Sequence, residues 1–514
     1  MSGTQTAIPW LTILGLLPLV GAVVVALMPR GRVLPKQLAF VISLAALVLS
    51  IVMAVQFKAG GGFQYVEEHS WISSFGAHYA VGLDGLGLLL VLLTTILTPV
   101  VILASWNDAE AGRWTANAFF AWMLALEGLS IGVFAATDVF LFYVLFEATL
   151  IPIYFLIGGF GGAHRSYAAV KFLLYSLFGG FLMLASVVGL YVVSSGSANG
   201  PSYLLQDLMH LSMSQSTGRW LFLGFFIAFA VKAPMWPVHT WLPDATSEGT
   251  PGTSVLLVSV LDKIGTFGMM RWCLNIFPEA SHWATPVVMI LAVISVIYGA
   301  LLAIGQQDIR RLIGYTSISH FGLIVLGIFA MTSQSQAGSA LYMFNHGIST
   351  AALFLVTGFL ISRRGSKMIG DFGGVEKVAP MLAGIFLLAG LSTLSLPGLS
   401  PFVSEFLVLA GTFTKSITAA VIATLAIVLA AIYILWMYQR TMTGPKRDST
   451  RQMPDLRPRE VVALAPLVAL ILVLGFFPQP ALNAVNPTVS ALLHHLGVSD
   501  PAPTVAANPE GSSK

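Results

Sequence analysis

Long apolar runs separated by short polar segments dominate the chain. A membrane-spanning helix needs about 20 mainly apolar residues, and this pattern indicates about 14 such stretches. The predicted spans are 8–29, 36–57, 82–105, 115–136, 138–158, 168–194, 219–243, 252–275, 285–304, 311–331, 336–361, 380–412, 416–438 and 460–478. We therefore expect an all-α polytopic membrane protein with about 14 transmembrane helices.

Polar segments outside the apolar runs predict the extramembrane parts. Residues 58–80 are expected to form an excursion outside the membrane, and residues 496–514 a short polar tail rich in Pro, Ser and Ala. Residues 1–7 lack the positive region of a signal peptide, and the first basic cluster, which begins at Arg30, follows the first apolar run. We therefore predict that 8–29 is a retained span.

Composition excludes a soluble protein. Hydrophobic residues make up 56% of the 514 residues and charged residues 9%, with a mean hydropathy of +0.85, whereas a soluble chain carries roughly 25% charged residues. The net charge of +3, without a basic stripe, gives no reason to expect nucleic-acid binding. Cys273 is the single cysteine, which excludes an internal disulfide and a cysteine-ligated iron–sulfur cluster. No His, Cys or carboxylate spacing predicts a metal site.

The distribution of basic residues predicts the orientation in the membrane. Most of the 25 Lys and Arg residues fall in one set of alternate loops. Because cytoplasmic loops carry an excess of Lys and Arg, these loops are expected to be cytoplasmic. Both termini are then expected on the non-cytoplasmic side.

Two predicted spans contain prolines beside an ionisable residue. These are Pro234, Pro237 and Pro243 in span 7, and Pro397 and Pro401 in span 12. Paired proline-interrupted spans in the two halves of a chain indicate an inverted-repeat transporter with broken helices at its site. Span 12 lies five positions after span 7, and this odd offset would invert the second copy.

Ionisable residues of both signs lie inside predicted spans, and Glu127, Glu147, Lys232, Lys263 and Glu405 stand out among them. A charge at bilayer depth costs about 2.5–3.5 kcal/mol on insertion scales, so such residues are functional by default and pair or face water. A Lys–Glu pair whose partner can move acts as a proton switch, because a carboxylate stabilises the protonated lysine. Structural ion pairing that fixes helix packing is the alternative.

Three histidines also lie in or at the ends of spans: His239, His320 and His346. A proton relay and a hydrogen-bonded core role are both open for them. Asp262 directly precedes Lys263, so on a helix the two side chains point about 100° apart. Asp262 either tunes this lysine or meets another partner.

Several motifs resemble those of the antiporter-like membrane subunits of respiratory complex I, above all the chain M (chain 4) type. They are FYVLFEATLIPIY, KAPMWPVHTWLPDA, SVLLVSVLDKIGTFG, the NHG segment of span 11 and LPGLSPFVSEF. The likeness covers about residues 80–480. One departure is Thr246, which stands where the family motif often has a histidine.

The resemblance implies two inverted five-helix repeats, with helices 7 and 12 broken. It divides the chain into helices 1–3 (1–110), a first repeat (111–276), a second repeat (284–440), a basic loop with helix 14 (441–480) and a C-terminal polar tail (481–514). By position, Glu147 and Lys232 match the family's interacting pair, Lys263 its central lysine and Glu405 its terminal carboxylate. Glu127 matches a secondary glutamate, and His320 and His346 match the central hydrophilic axis.

The function that the resemblance implies is proton translocation, coupled to electron transfer in other subunits of NADH:quinone oxidoreductase. No redox cofactor is expected in this chain; flavin, iron–sulfur clusters and quinone are implied in partner subunits. Expected partners are the other membrane-arm subunits, sister antiporter-like subunits among them, the lipid bilayer and protons, with no nucleic acid. The expected location is an energy-coupling membrane, the bacterial plasma membrane.

Three alternatives to this assignment are open. A cation/proton antiporter subunit carries the same key charges, and a purely structural membrane subunit would use them for pairing alone. The long antiporter-like subunit of complex I continues into a lateral helix, so the end of this sequence after span 14 favours the chain M type.

Overall fold

The structure, a computed structural model, describes residues 4–5, 8–29, 33–60, 62–111, 114–197 and 200–500. The predictions for the first residues, for the basic cluster at Arg30 and for most of the polar tail lie wholly or partly outside these ranges. The strands are β1 (Thr4–Gln5), β2 (Gln64–Ile72) and β3 (Ala77–Leu83). The helices of the first half are α1 (Trp10–Leu27), α2 (Leu34–Gln56), α3 (Gly85–Ala104), α4 (Ala116–Ala135), α5 (Val139–Ala148), α6 (Leu150–Phe160), α7 (Arg165–Ser194), α8 (Leu205–Leu208), α9 (Gln215–Lys232), α10 (Trp241–Glu248), α11 (Pro251–Val255), α12 (Lys263–Gly268) and α13 (Leu274–Ile276). Those of the second half are α14 (Pro278–Ile304), α15 (Ile309–Ala330), α16 (Ser333–Arg364), α17 (Pro380–Thr393), α18 (Ser400–Lys415), α19 (Ile417–Met442), α20 (Pro458–Phe476) and α21 (Gln479–His495).

The predicted all-helical membrane class is confirmed. Among the described residues, 12 helical segments are long and apolar enough to cross a membrane by length and composition. The two spans with paired prolines, 219–243 and 380–412, are not among these segments, and each is divided into two helices. The total of about 14 and the two inverted repeats remain predictions.

Both breaks expected from the prolines are present. Residues 233–240 separate α9 from α10, and residues 394–399 separate α17 from α18. Pro234, Pro237 and Pro397 lie in these breaks, as expected for residues without a backbone N–H. The prediction was wrong for Pro243 and Pro401, which lie in the first turns of α10 and α18, where proline costs little because the N–H has no helical partner.

The predicted span 252–275 has an unusual backbone. Between α11 and α13 the helix passes through π-helical turns at Leu256–Leu261 and Met269–Cys273, and α12 lies between them. This entire segment is buried in the bundle. Short π-helical turns inside helices are frequent at functional sites, and Lys263 is the first residue of α12.

The excursion predicted at 58–80 carries β-structure. Strands β2 and β3 form an antiparallel hairpin, and β1 pairs with β2 in parallel. Glu67 of the hairpin accepts a hydrogen bond from the backbone N–H of Leu11 at the start of α1 (2.7 Å). Asp84 caps α3 by accepting a hydrogen bond from the backbone N–H of Gly87 (2.9 Å).

The assignment of 481–514 to a polar tail was wrong for its first part. Residues 479–495 form α21, which buries Val485, Val489 and Leu493 against the bundle. The apolar residues recur at helical spacing along one side, so packing stabilises this short amphipathic helix.

The most buried part of the bundle surrounds α11–α13, α15 and α16, whereas α1, α2, α7 and α19 turn apolar faces outward. We call the end of the bundle with β2, β3 and α21 the hairpin end. The opposite end, with residues 249–250, 305–308 and 443–457, is called the basic end.

Candidate functional site

Lys263 lies at the centre of a buried cluster. Its Nζ is 2.6 Å from Nδ1 of His346 on α16 and 3.3 Å from the carbonyl oxygen of Val258. The ammonium group also lies over the ring of Phe321 on α15, 4.2 Å from its centre. Lys263 is 0% exposed, so these contacts replace the hydration that a lysine has in water.

Two aromatic residues continue the cluster beyond His346. The ring centroid of His320 is 5.1 Å from that of His346 and 6.0 Å from that of Tyr342. Tyr342 and His346 are four residues apart on α16 and therefore share one face of the helix. His320 projects between them from α15.

The cluster ends at Glu405 on α18. The Tyr342 hydroxyl donates a hydrogen bond to Oε2 of Glu405 at 3.1 Å, and the Ser395 hydroxyl donates to the same oxygen. Ser395 belongs to the break between α17 and α18 and has a φ of +59°. The irregular backbone thus places a hydroxyl on a buried carboxylate, which an intact helix at this position would not do.

We call Lys263, His346, His320, Tyr342 and Glu405 the polar axis. Its members come from four helices and all are buried. Each is able to bind or release a proton, and each is within ring or hydrogen-bond contact of the next. The axis can therefore carry a proton from the π-helical segment that holds Lys263 to the break between α17 and α18 beside Glu405.

Glu147 and Lys232, the predicted interacting pair, are near each other without forming an ion pair within 4.0 Å among the described residues. They interact electrostatically. Lys232 Nζ has no hydrogen-bond partner there and lies 4.8 Å from the ring centre of Phe146. The Glu147 carboxylate packs against Gly180 of α7, and a Cβ atom at position 180 would overlap this carboxylate. The pair is thus in a separated arrangement.

Two predicted site residues lie apart from the polar axis. Glu127 on α4 is 1% exposed, and among the described residues neither carboxylate oxygen has a hydrogen-bond partner. His239 lies in the break after α9, with its ring 5.0 Å from that of Tyr298. The roles of both residues remain predictions.

A cavity of about 600 Å³, lined by both apolar and charged side chains, opens at the basic end. Its lining includes Asp108, Glu248, Arg310 and Arg459. Asp108 lies in the loop between α3 and α4, where burial raises the pKa of its carboxyl to about 6 despite the nearby arginines. No group of three or more His, Cys, Asp or Glu residues in the described part of the chain could hold a metal ion.

Sequence reasoning missed two members of the site, Tyr342 and Ser395. The four-residue spacing of Tyr342 and His346 on one helix was a signal that could have identified the tyrosine. Nothing in the sequence indicated Ser395, because its contact with Glu405 depends on the path of the chain through the break.

Comparison with known proteins gives a consistent result. The family model described as NADH:quinone oxidoreductase/Mrp antiporter, TM, matches residues 136–430. NADH-quinone oxidoreductase subunit M of Mycobacterium tuberculosis is 51% identical over 537 aligned residues, which cover 97% of this chain and 96% of that protein.

Two solved structures share the fold. A chain of respiratory complex I from Thermus thermophilus, with bound NADH, matches with a TM-score of 0.87 and 31% identity, covering 95% of this chain and 100% of that one. A chain of the Mrp complex from Dietzia sp. matches with a TM-score of 0.84 over 95% of this chain and 100% of that one, at 20% identity. The second match shows the fold alone.

Proposed function

The chain belongs to the NADH:quinone oxidoreductase/Mrp antiporter membrane family, and from this premise we propose that it conducts protons along the polar axis. Its relatives at high identity over nearly the full length are subunit M chains, so it is a membrane subunit of the NADH:quinone oxidoreductase type. The observation that carries the proposal is the succession of buried proton-binding groups from Lys263 to Glu405.

The proton path follows from the atoms in contact. Protonated Lys263 gives its proton to Nδ1 of His346, which leaves a neutral amine and an imidazolium. The imidazolium releases a proton from Nε2, which has no partner among the described residues, towards His320. From there the proton reaches Glu405 beside Tyr342. Each transfer moves one proton. His346 is left neutral with its proton on Nδ1, so the ring turns over before Nδ1 accepts again, and the neutral Lys263 amine takes up a new proton for the next cycle.

Glu147 and Lys232 act as the switch for this path. When the pair closes, the carboxylate stabilises the ammonium and keeps the proton on Lys232; when it opens, the buried lysine favours release. Redox work in partner subunits that hold flavin, iron–sulfur clusters and quinone would drive this opening and closing. The sister membrane subunits are the natural route for that coupling, because broad apolar faces of this chain are exposed.

The placement in the membrane follows the distribution of basic residues. We place the basic end in the cytoplasm and both termini on the other side of a bacterial plasma membrane. Protons then enter from the basic end and leave near Glu405.

Replacing Glu147 or Lys232 by Ala tests this function. NADH-driven proton translocation per assembled complex should fall by about tenfold or more, because the switch loses one partner. Proton uptake into inverted membrane vesicles gives the rate, and native gel electrophoresis gives the amount of complex. Lys415→Met, which removes an exposed lysine at the end of α18, is the control and should pump normally. Full pumping by both Ala variants would contradict the proposal.

The shared fold with the Mrp complex keeps a cation/proton antiporter as the second candidate. In that case vesicles without NADH oxidation should exchange sodium for protons through this chain. The proposal requires that NADH oxidation drives proton movement and that a sodium gradient alone does not.

A further inference from the structure

Asp262 is a fully buried carboxylate that the path above does not use. It is 0% exposed. Among the described residues, neither of its carboxylate oxygens has a hydrogen-bond partner. A buried polar group without partners costs stability, and a buried charge costs more. Packing alone therefore gives no reason for a carboxylate at this position.

The backbone aims Asp262 at the end of α9. Asp262 and Gly265 are three residues apart and share one helical face. A Cβ atom at Gly265 would lie 2.6 Å from both the backbone N of Ala233 and the carbonyl oxygen of Phe229. This face thus packs directly on the last turn of α9, which carries Lys232.

The next residue, Lys263, projects away from that contact. Its Nζ meets His346 on α16 and Phe321 on α15. Asp262 consequently lies between the lysine of the switch and the lysine that begins the polar axis. Asp262 interacts electrostatically with both Lys232 and Lys263, whereas the electrostatic interaction of Glu147 is with Lys232.

We propose that Asp262 is a proton carrier between Lys232 and Lys263 that joins the switch to the polar axis. This inference rests on the proposed function. The Asp262 carboxylate takes a proton from the Lys232 ammonium, leaving a neutral amine and a carboxylic acid. The acid then gives the proton to the neutral Lys263 amine, restoring the carboxylate and an ammonium. Because no direct ion pair within 4.0 Å joins these groups in the described chain, each transfer passes through bridging water.

The π-helical turn before Asp262 contributes to this arrangement. The backbone N–H of Asp262 donates to the carbonyl oxygen of Leu257, five residues earlier (3.0 Å). The extra residue in this turn rotates the following side chains by about 100° relative to a regular helix. The turn thereby rotates Asp262 and Lys263 together and sets which neighbours the carboxylate and the ammonium face.

Asp262→Asn in the complete complex tests the proposal, since the amide has the shape of the carboxylate but does not take up a proton. We expect normal amounts of assembled complex and a loss of NADH-driven proton translocation of about tenfold or more, as in Lys263→Met. Asp262→Glu keeps a carboxylate and should restore part of the rate. Ser259→Ala, which removes a buried hydroxyl without a partner one turn earlier, is the matched control and should pump normally.

The outcomes separate this inference from the proposed function. Full pumping by Asp262→Asn, with pumping lost in Glu147→Ala and Lys232→Ala, would overturn the carrier role and leave the proposed function intact. A role in packing alone would lower the amount or the melting temperature of the complex and leave the rate per complex unchanged. If Asp262→Asn does not assemble, Asp262→Leu provides the second test, and full pumping by that assembled variant would equally overturn the carrier role.

Discussion

At the scale of single residues, Glu405 owes its place in the axis to two hydroxyl donors. Tyr342 and Ser395 both donate to Oε2, and no basic side chain forms an ion pair with Glu405 within the described ranges. Hydrogen bonds to a carboxylate contribute about 1.5–3 kcal/mol each. A carboxylate held by neutral donors can take up and release a proton without breaking a salt bridge, as expected for the last group of a relay.

Tyr342→Phe should slow proton translocation per assembled complex by roughly fivefold, because one donor to Glu405 and one aromatic hydroxyl of the axis are lost. The Ser395 contact remains, so the amount of assembled complex should be unchanged. Proton uptake into vesicles measures the rate. A wild-type rate in Tyr342→Phe would remove the tyrosine from the path.

The individual charges were predictable, but their geometry was not. Lys232, Lys263 and Glu405 stand out because ionisable residues inside apolar runs are rare. The 2.6 Å contact between Lys263 and His346 joins residues 83 positions apart, and no local pattern encodes such a distance. The same holds for Asp262, whose direction depends on the π-helical turn before it.

At the scale of elements, the contact between α12 and α9 sets the distance between the two lysines. Gly265 lies against the backbone at Phe229 and Ala233, and a Cβ atom at Gly268 would meet the ring of Phe229. Two glycines on one face thus allow the helices to approach at backbone distance. Such close approach is typical of small residues in membrane helix packing.

Gly265→Ala should separate these helices, because its methyl group would lie 2.6 Å from backbone atoms. We expect a loss of stability of about 1–3 kcal/mol and a lower rate of proton translocation per complex. Gly384→Ala on α17 is the matched control, since nothing lies within 4 Å of the added methyl group, and Ala is favoured over Gly in a helix by roughly 0.8–1 kcal/mol. Melting temperatures of the purified complex that fall equally in both variants would contradict this account.

The broken helices were predictable because each of the two spans combines several prolines with an ionisable residue, a pattern typical of broken helices in transporters. The exact helix ends were not, since Pro243 and Pro401 begin helices rather than end them. Helix α21 was missed because its apolar residues are interspersed with Asn, Pro, Thr and Ser and do not form a long apolar run, and its stability comes from contacts with the bundle. Strands β2 and β3 were missed because the polar pattern indicates only that the segment leaves the membrane.

At the scale of the whole molecule, ion pairs hold both ends of the bundle. At the basic end, Asp244 forms ion pairs with Lys171 (2.6 Å) and Arg311, joining the half-helix α10 to α7 and α15. At the hairpin end, Asp84 and Arg271 form a buried pair at 2.5 Å. These ion pairs hold both ends of the bundle around the polar axis. A change in the distance between Glu147 and Lys232 can therefore be transmitted to the axis while the bundle stays intact.

The rate of NADH-driven proton translocation by complex carrying Lys263→Met tests the central claim most directly. Methionine keeps an unbranched side chain that suits the contact with Phe321, but it carries no proton to His346. Proton uptake per assembled complex should fall by about tenfold or more, while Lys415→Met should match the wild type. Proton uptake at the wild-type rate in the assembled Lys263→Met complex would contradict the account.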